Sequence, residues 1–357
     1  TLCFTGGTTG RPKGVVYSHR ALVLHAFGEA MVDGFGYGRR DVVMLLVPMF
    51  HVNGWGVPYS ASMVGATLVL PGIQPTPADV LDLCCEEKVS WTAGVPTVWA
   101  DAFHEIKMNP GRWKIDHGLT IVVGGAAPHR TLFLAARDHG IDLVQGWGMT
   151  ESSGVVAACR PNRRIAALSQ DDQLDTLVKQ GVPVPVAQLR IVRDGVQQPW
   201  DGVSQGEIQI RGTSVTGRYF ERPDADDRWT ADGWFRTGDI GTVDAEGYVH
   251  AHERSEDLIK SGGEWISPTS LENALLAHPS VFQCAVIGVP HQRWGERPLA
   301  VVVAQPGSAP REKDLRDSLM PHFAKWQLPD RFEFVSELPL TSMGKVSRSE
   351  LKKMFAV

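Results

Sequence analysis

The strongest constraint on this chain is an alternation of short apolar runs with helical stretches between Ala21 and about Leu143. Val42–Val47, Ala66–Leu70, Val89–Ala93, Leu119–Val123 and Asp142–Val144 are short, apolar and bounded by turn residues, which predicts buried strands. Between them, Thr76-Pro77 supplies an N-cap and a first-turn proline, and helices over Pro96–Lys107 and Pro128–His139 open with proline in the same way. Strands that alternate with helices predict a mostly parallel sheet covered by helices. Such sheets bind ligands in the loops at the carboxyl ends of their strands.

Downstream the texture changes. Gln188–Val192, Gly206–Arg211, Gly241–Val243 and Tyr248–Ala251 are short strands separated by Gly, Asp and Pro, which reads as a β-rich subdomain. The charged stretch His252–Asp257 reads as a linker. Beyond it, Ser267-Pro268 caps a helix, and Ala285–Val289 and Leu299–Ala304 are predicted strands of a small α+β domain. The expected organisation is an α/β part over residues 1–180, a β-rich subdomain over 181–253, a hinge at 254–257 and a carboxyl-terminal domain over 258–357. The chain opens on Thr1-Leu2-Cys3-Phe4 without an initiator methionine. Those residues read as the end of a strand whose neighbours are missing, so an amino-terminal portion is expected ahead of them.

The length of 357 residues suits two or three domains. A net charge of −5 without a long basic run argues against nucleic acid as a partner. The longest strongly apolar run, Val42–Phe50, falls well short of the ~20 residues a bilayer demands. Five cysteines without a CxxC pair give no disulfide framework or zinc site, and a reduced cytoplasm is expected.

Five segments carry chemistry. The first, Phe4-Thr5-Gly6-Gly7-Thr8-Thr9-Gly10-Arg11-Pro12-Lys13-Gly14, combines glycines that bring backbone N–H groups against an anion with threonine hydroxyls and a lysine. It reads as a phosphate-binding loop, and not as a Walker A loop, because Gly14 stands where Ser or Thr must follow the lysine. The second, Gln145-Gly146-Trp147-Gly148-Met149-Thr150-Glu151-Ser152, offers an aromatic face to a flat base, a hydroxyl to phosphate and a carboxylate to Mg²⁺. The third is Arg236-Thr237-Gly238-Asp239, where an aspartate after a glycine turn can accept both ribose hydroxyls. The fourth runs from Glu253 to Pro268 and the fifth is Thr341-Ser342-Met343-Gly344-Lys345. Taken alone, the second would also suit a tight turn with a core tryptophan, the third a plain turn, and Lys345 a solvated surface charge.

In this order the five segments resemble the adenylate-forming superfamily of acyl-CoA synthetases, adenylation domains and beetle luciferases. The resemblance runs from Thr1 nearly to the end. The segments Val47–Trp55, Lys260–Ser267 and Phe323–Pro329 resemble the medium- and long-chain fatty-acyl-CoA synthetase branch. It implies ATP-dependent activation of a carboxylic acid as acyl-AMP, release of pyrophosphate and transfer of the acyl group to coenzyme A. The substrates and cofactors implied are a fatty acid, ATP, Mg²⁺ and CoA, and a homodimer is compatible with the family. Alternatives are a short, aromatic or sulfur-containing acid, the loading of a carrier protein, or a nucleotide-binding protein without catalysis.

The resemblance also implies roles. Thr5, Gly6, Gly7, Thr8, Thr9, Gly10 and Lys13 match the holder of the β- and γ-phosphates. Thr5 and Glu151 match positions associated with Mg²⁺, and Thr150 one touching the α-phosphate. Gly125, Gln145, Gly146 and Trp147 match the adenine pocket. Asp239 matches the ribose ligand and Arg254 its support. Lys345 matches the lysine that reaches the carboxylate and α-phosphate during adenylation. His51, Val52 and Trp55 match the border of the acyl tunnel, with core packing as the other reading. Lys260 and Trp265 fall in the loop that lines the pantetheine channel. Glu256 matches the hinge of a mobile carboxyl-terminal domain, where the fatty-acyl branch commonly has lysine and other branches aspartate.

Overall fold

The computed structural model describes residues 1–5, 12–254, 257–262, 264–341 and 344–355. Nine short strands build the first part: β1 Leu2–Phe4, β2 Gly14–Val16, β3 Val42–Met44, β4 Thr67–Val69, β5 Trp91–Gly94, β6 Thr120–Val123, β7 Asp142–Met149, β8 Gly154–Ala158 and β9 Val182–Pro183. Seven of them form one sheet in the order β4-β3-β5-β6-β7-β8-β9. Pairing is parallel from β4 to β7 and antiparallel from β7 to β9.

Successive strand residues point to opposite faces, and both faces of this sheet are covered. Met44, Ile121, Val123 and Leu143 pack with Val80, Leu81, Trp99, Phe103, Leu132 and Phe133 from the helices Pro77–Glu86, Pro96–Met108 and Arg130–Asp138. Val43, Val122 and Val144 face the other way, onto Phe35, Trp55, Val57 and Ala61. Helix starts follow local chemistry. Thr76 accepts from Asp79 N at 3.2 Å while the Asp79 carboxylate accepts from Thr76 N at 2.8 Å, a reciprocal cap followed by Pro77. Ser18 caps α1, His19–Ala30, by accepting from Ala21 N at 3.0 Å.

Strands β10 Ala187–Arg193, β11 Val196–Gln197, β12 Gly206–Gly212, β13 Phe235–Val243 and β14 Val249–Arg254 form a second sheet, ordered β11-β10-β12-β13-β14. Its core of Ile191, Ile208, Ile210, Phe235 and Val243 also takes in Cys3, Val15 and Tyr17. Thr1–Phe4 has one strand neighbour within this chain: β1 pairs antiparallel with β2, Leu2 opposite Val16 and Phe4 opposite Gly14. Several predicted strands were too short, among them Ala285–Val289 and Leu299–Ala304, which run over Val281–His291 and Gly295–Ala304. Asp142–Val144 extends to Met149, and Gly241–Val243 begins at Phe235, because sheet pairing overrides the turn signal of the glycines. His252, Glu253 and Arg254, read as linker, belong to β14.

Contacts divide the chain into two compact units, Thr1–Thr237 with Gly241–Ala251, and Gly238–Ile240 with His252–Val357. In the second unit, β15 Ile259–Ser261, β16 Glu264–Ile266, β17 Val281–His291, β18 Gly295–Ala304 and β19 Arg331–Val335 form a sheet with the path β16-β15-β18-β17, β19 lying parallel beside β18. Val286, Ala300 and Val302 pack on Leu271, Leu275, Leu315 and Leu319. Ile287, Leu299 and Val301 pack on Leu338 and Leu351. Arg297, buried, donates to Asp330 at 2.7 and 2.8 Å, to Ser261 Oγ at 3.0 Å and to the Trp326 and Leu328 carbonyls. The guanidinium holds the Asp330 carboxyl below its usual range. Among the described residues no helix is long and apolar enough to cross a membrane.

Candidate active site

The first cluster starts at the neck of the phosphate loop. Thr5 N donates to the Lys13 carbonyl at 2.9 Å and Lys13 N donates to Thr5 Oγ1 at 3.1 Å, closing the loop at its base. Gly6, Gly7, Thr8, Thr9 and Gly10 lie outside the described residues. Lys13 Nζ sits 4.9 Å above the ring of Tyr219. Beside the neck opens a cavity of about 610 Å³ lined by Phe4, Pro12, Gly14, Phe220, Glu221 and Arg222.

Tyr219 connects this neck to the second motif: its hydroxyl donates to Glu151 Oε1 at 2.5 Å. Tyr17, next along from β2, donates to the Thr150 carbonyl, and Thr216 N donates to the Glu151 carbonyl at 2.7 Å. Burial, and after it the nearby Glu151 charge, raises the pKa of Tyr219. Burial likewise raises that of Tyr17. Both phenols therefore stay protonated and keep donating. A carboxylate offers about four lone-pair positions, so the Tyr219 bond does not exhaust the capacity of Glu151 for a cation.

The turn that carries Thr150 and Glu151 is shaped by its neighbours. Ser152 Oγ accepts from Met149 N at 3.1 Å and lies 2.7 Å from the Gly154 carbonyl, to which it donates. Ser153 adopts φ 63° and its hydroxyl donates to the Ser214 carbonyl at 2.9 Å. A Cβ on Gly148 would stand 1.9 Å from the Gly154 carbonyl oxygen, so only glycine lets β7 and β8 close here. Trp147 is half-buried against the second sheet's core. Gln145 is buried, and its amide donates to the Val178 and Lys179 carbonyls at 2.7 and 3.0 Å and accepts from Gln180 at 2.6 Å. Its side chain is thus committed to the 178–180 turn, and a ligand would meet its main chain. Gly125 follows β6 with φ 78°.

The segment after β3 adjoins the Thr150–Ser153 turn, the Trp55 carbonyl lying 3.4 Å from where a Cβ on Gly154 would stand. Val52, Asn53, Gly54, Trp55 and Gly56 have φ of 43, 48, 66, 55 and 82°, five consecutive left-handed residues. Val52 and Trp55 are buried and His51 is half-buried. The Trp55 ring lies against Gly124 at the end of β6, 3.2 Å from where a Cβ would stand. The first unit therefore gathers Thr5, Lys13, Thr150, Glu151 and Tyr219 at one place, and Trp55, Gly124 and Gly146 at the carboxyl ends of the parallel strands.

The remaining predicted residues that are described are found in the second unit. Asp239 is buried on β13. The side chain of Arg254, and all of Glu256, lie outside the described residues. Lys260 Nζ is 5.5 Å above the half-exposed ring of Trp265. Thr341 N donates to the Lys345 carbonyl at 2.7 Å, and the Lys345 N–H donates to Thr341 Oγ1 at 3.3 Å. Sequence reasoning missed Tyr17 and Tyr219. Tyr17 extends the inward alternation of Val15 in the hairpin, a weak signal, whereas Tyr219 meets Glu151 from 68 positions away.

Residues 1–220 match the model of the AMP-binding enzyme family, and residues 270–345 match the AMP-binding enzyme C-terminal domain. The chain belongs to the AMP-binding enzyme family. It is 46% identical to a long-chain-fatty-acid–CoA ligase of Thermus thermophilus, over 99% of this chain and 65% of the relative. It is 43% identical to a 3-methylmercaptopropionyl-CoA ligase of Ruegeria pomeroyi, over 99% of this chain and 66% of the relative. Thus it spans about two thirds of the length of such relatives. Among solved structures it resembles the o-succinylbenzoate coenzyme A synthetase of Bacillus subtilis in complex with ATP and magnesium ion, with TM-score 0.82 and 30% identity over 99% of this chain and 69% of the other.

Proposed function

We propose that the protein activates a carboxylic acid with ATP, releasing pyrophosphate, and passes the acyl group from acyl-AMP to coenzyme A. The observation that carries this reading is the joining of the Thr5–Lys13 neck to Glu151 through Tyr219. It sets a cationic, hydroxyl-bearing loop base beside a carboxylate, the donor set that a nucleotide polyphosphate with Mg²⁺ requires. Mg²⁺ would be held by Glu151 and Thr5 together with nucleotide phosphates, and bound there it neutralises developing charge. Among the described residues no cluster of three His, Cys, Asp or Glu side chains could hold a metal by itself.

The chain's own groups do the rest. Lys13 and the loop N–H groups balance the β- and γ-phosphates. Thr150 orients the α-phosphate, and Gly125, Gly146 and Trp147 seat the base. Asp239, supported by Arg254, takes the ribose hydroxyls. Lys345 balances the two anions, substrate carboxylate and α-phosphate, as they meet. No side-chain nucleophile is needed. Lys345 and the Gly262–Trp265 loop share one compact unit. Presenting them in turn, by rotation about Glu256, accounts for adenylation followed by thiol attack. The domain boundaries at 180 and 253, a homodimer and a cytoplasmic location belong to the same reading.

His51, Val52 and Trp55 border the acyl group, and the substrate class is fatty acids. The Ruegeria relative favours a second reading, a short sulfur-containing acid. Pyrophosphate release by the natural protein with an acid series decides between them. Affinity rising by about 0.8 kcal/mol per CH₂ supports the fatty-acid reading. A flat series with a preferred short acid supports the other. ATP binding without pyrophosphate release for any acid defeats both.

A further inference from the structure

Behind the left-handed turn lies a chain of buried polar groups that the activation chemistry does not use. α1 carries His25 and Glu29 one turn apart, 2% and 0% exposed. His25 Nε2 is 3.2 Å from the Val155 carbonyl. A carbonyl only accepts, so Nε2 bears the hydrogen and Nδ1 is left as an acceptor when the ring is neutral. Nδ1 faces Glu29 Oε1 at 3.4 Å. Ser60 Oγ lies 2.7 Å from Glu29 Oε2 and also meets the Tyr37 hydroxyl. Burial drives the Glu29 carboxyl well above its usual range and lowers His25 to about 4, so it favours the uncharged form of both groups.

The position of the pair matters more than its protonation. The Glu29 carboxyl is pressed on Gly56: a Cβ there would lie 2.6 Å from each carboxyl oxygen. Ser60 Oγ is also 3.1 Å from the Gly56 carbonyl. On the other side, His25 Cε1 is 2.8 Å from where a Cβ on Gly154 would be. The pair therefore touches the end of the Val52–Gly56 turn and the start of β8, just past Glu151. A left-handed residue other than glycine is strained, and such a turn persists only where its surroundings dictate it.

We propose that Glu29 is a positioning residue that fixes the Val52–Gly56 turn by shape, and through it sets which acyl chains the site accepts, with His25 tying that turn to the Glu151 segment. The proposal rests on the reading of this turn as the acyl border.

The test compares Glu29→Gln, Glu29→Asp and Glu29→Ala with Trp55→Ala in the natural protein, measuring kcat, KM for each acid of a length series and KM for ATP. Trp55→Phe and Ser60→Ala replace any variant that does not fold. Glutamine keeps the size and neutrality of the carboxyl and is expected to keep the length profile. Aspartate, one methylene shorter, and alanine release Gly56. They are expected to raise KM for the preferred acid about tenfold and shift the profile, with KM for ATP little changed, since small misplacements of a positioned group are costly. Ser60→Ala moves the profile in the same direction by less. The proposal is overturned if glutamine is as damaging as alanine, or if the Glu29 variants keep the wild-type profile while the Trp55 variant changes it. If neither Trp55 nor Glu29 variants change the profile, the acyl-border reading fails and the proposal with it.

Discussion

Two turns that adjoin in the first unit, with the Trp55 carbonyl 3.4 Å from where a Cβ on Gly154 would stand, are held in opposite ways. The Thr150–Ser153 turn is stitched by directed hydrogen bonds: two phenols, a backbone N–H and two serine hydroxyls. The Val52–Gly56 turn is held mainly by fit, with Trp55 laid on Gly124 and an uncharged carboxyl against Gly56. One turn must present a charge in a fixed direction, the other must present a wall. Directional bonds suit the first task because they fix orientation, and packing suits the second because a wall needs only shape.

That contrast can be broken most sharply at Glu151. Glu151→Gln keeps the size and removes the charge, so adenylation is expected to fall about 10²–10³-fold, the scale of losing one preorganised electrostatic group, with thermal stability unchanged. A normal rate at limiting Mg²⁺ would refute the role. In the proposed mechanism Lys345 also serves the charge side. Lys345→Ala is expected to lose adenylation about 10²-fold yet still convert supplied acyl-AMP with CoA. Glu256→Pro, which locks φ near −65°, is expected to do the reverse. Equal loss of both half-reactions in each variant excludes an alternating unit.

A pH titration of stability probes the packed side. His25 stays neutral in the fold down to about 4, whereas an unfolded histidine protonates near 6.5. Its contribution is present above pH 6.5 and is lost as pH falls from 6.5 towards 4, on the order of 3 kcal/mol. Glu29 has the opposite sign, since its folded carboxyl stays protonated above its usual range. Its contribution is present below about pH 4.5 and is lost as pH rises. Denaturation across pH 4–8 is expected to show a flatter acid limb in His25→Gln. In Glu29→Gln the gain over wild type is expected to grow with pH. The opposite trends would mean a buried ion pair.

Smaller effects separate bonds from strain. Tyr219→Phe deletes one bond to a charged acceptor, and the apparent Mg²⁺ requirement is expected to rise about tenfold. Titrating Mg²⁺ at fixed ATP checks it. Val52→Gly relieves a left-handed β-branched residue while losing burial. It is expected to cost about 1 kcal/mol less than Val122→Gly in the regular strand β6, measured by urea unfolding. Equal costs would show that the turn stores no strain.

Much of this architecture was legible in the sequence. Apolar runs and proline-led helices marked the parallel strands and their cover, and the Thr76–Asp79 cap is a purely local device. The second halves of β7 and the first half of β13 were not legible, because Gly146, Gly148 and Gly238 read as turns until pairing partners exist. The motif residues stood out by type and spacing. Their supports did not: Tyr17 reaches Thr150 across 133 positions, and Glu29 reaches Ser60 across 31. A left-handed Asn53-Gly54 is expected from its residue types, but nothing local announces Val52 and Trp55 in the same conformation.

Strand β7 is a cantilever. Asp142 to Gln145 are clamped beside β6, and Gly146 to Met149 run on beyond that neighbour with β8 as support. The clamped half answers to heat and the projecting half to chemistry. Drift in the first shortens the lifetime of the fold, and drift in the second alters the seat proposed for the nucleotide base. A lineage could therefore rework the projecting residues while leaving the beam that carries them untouched.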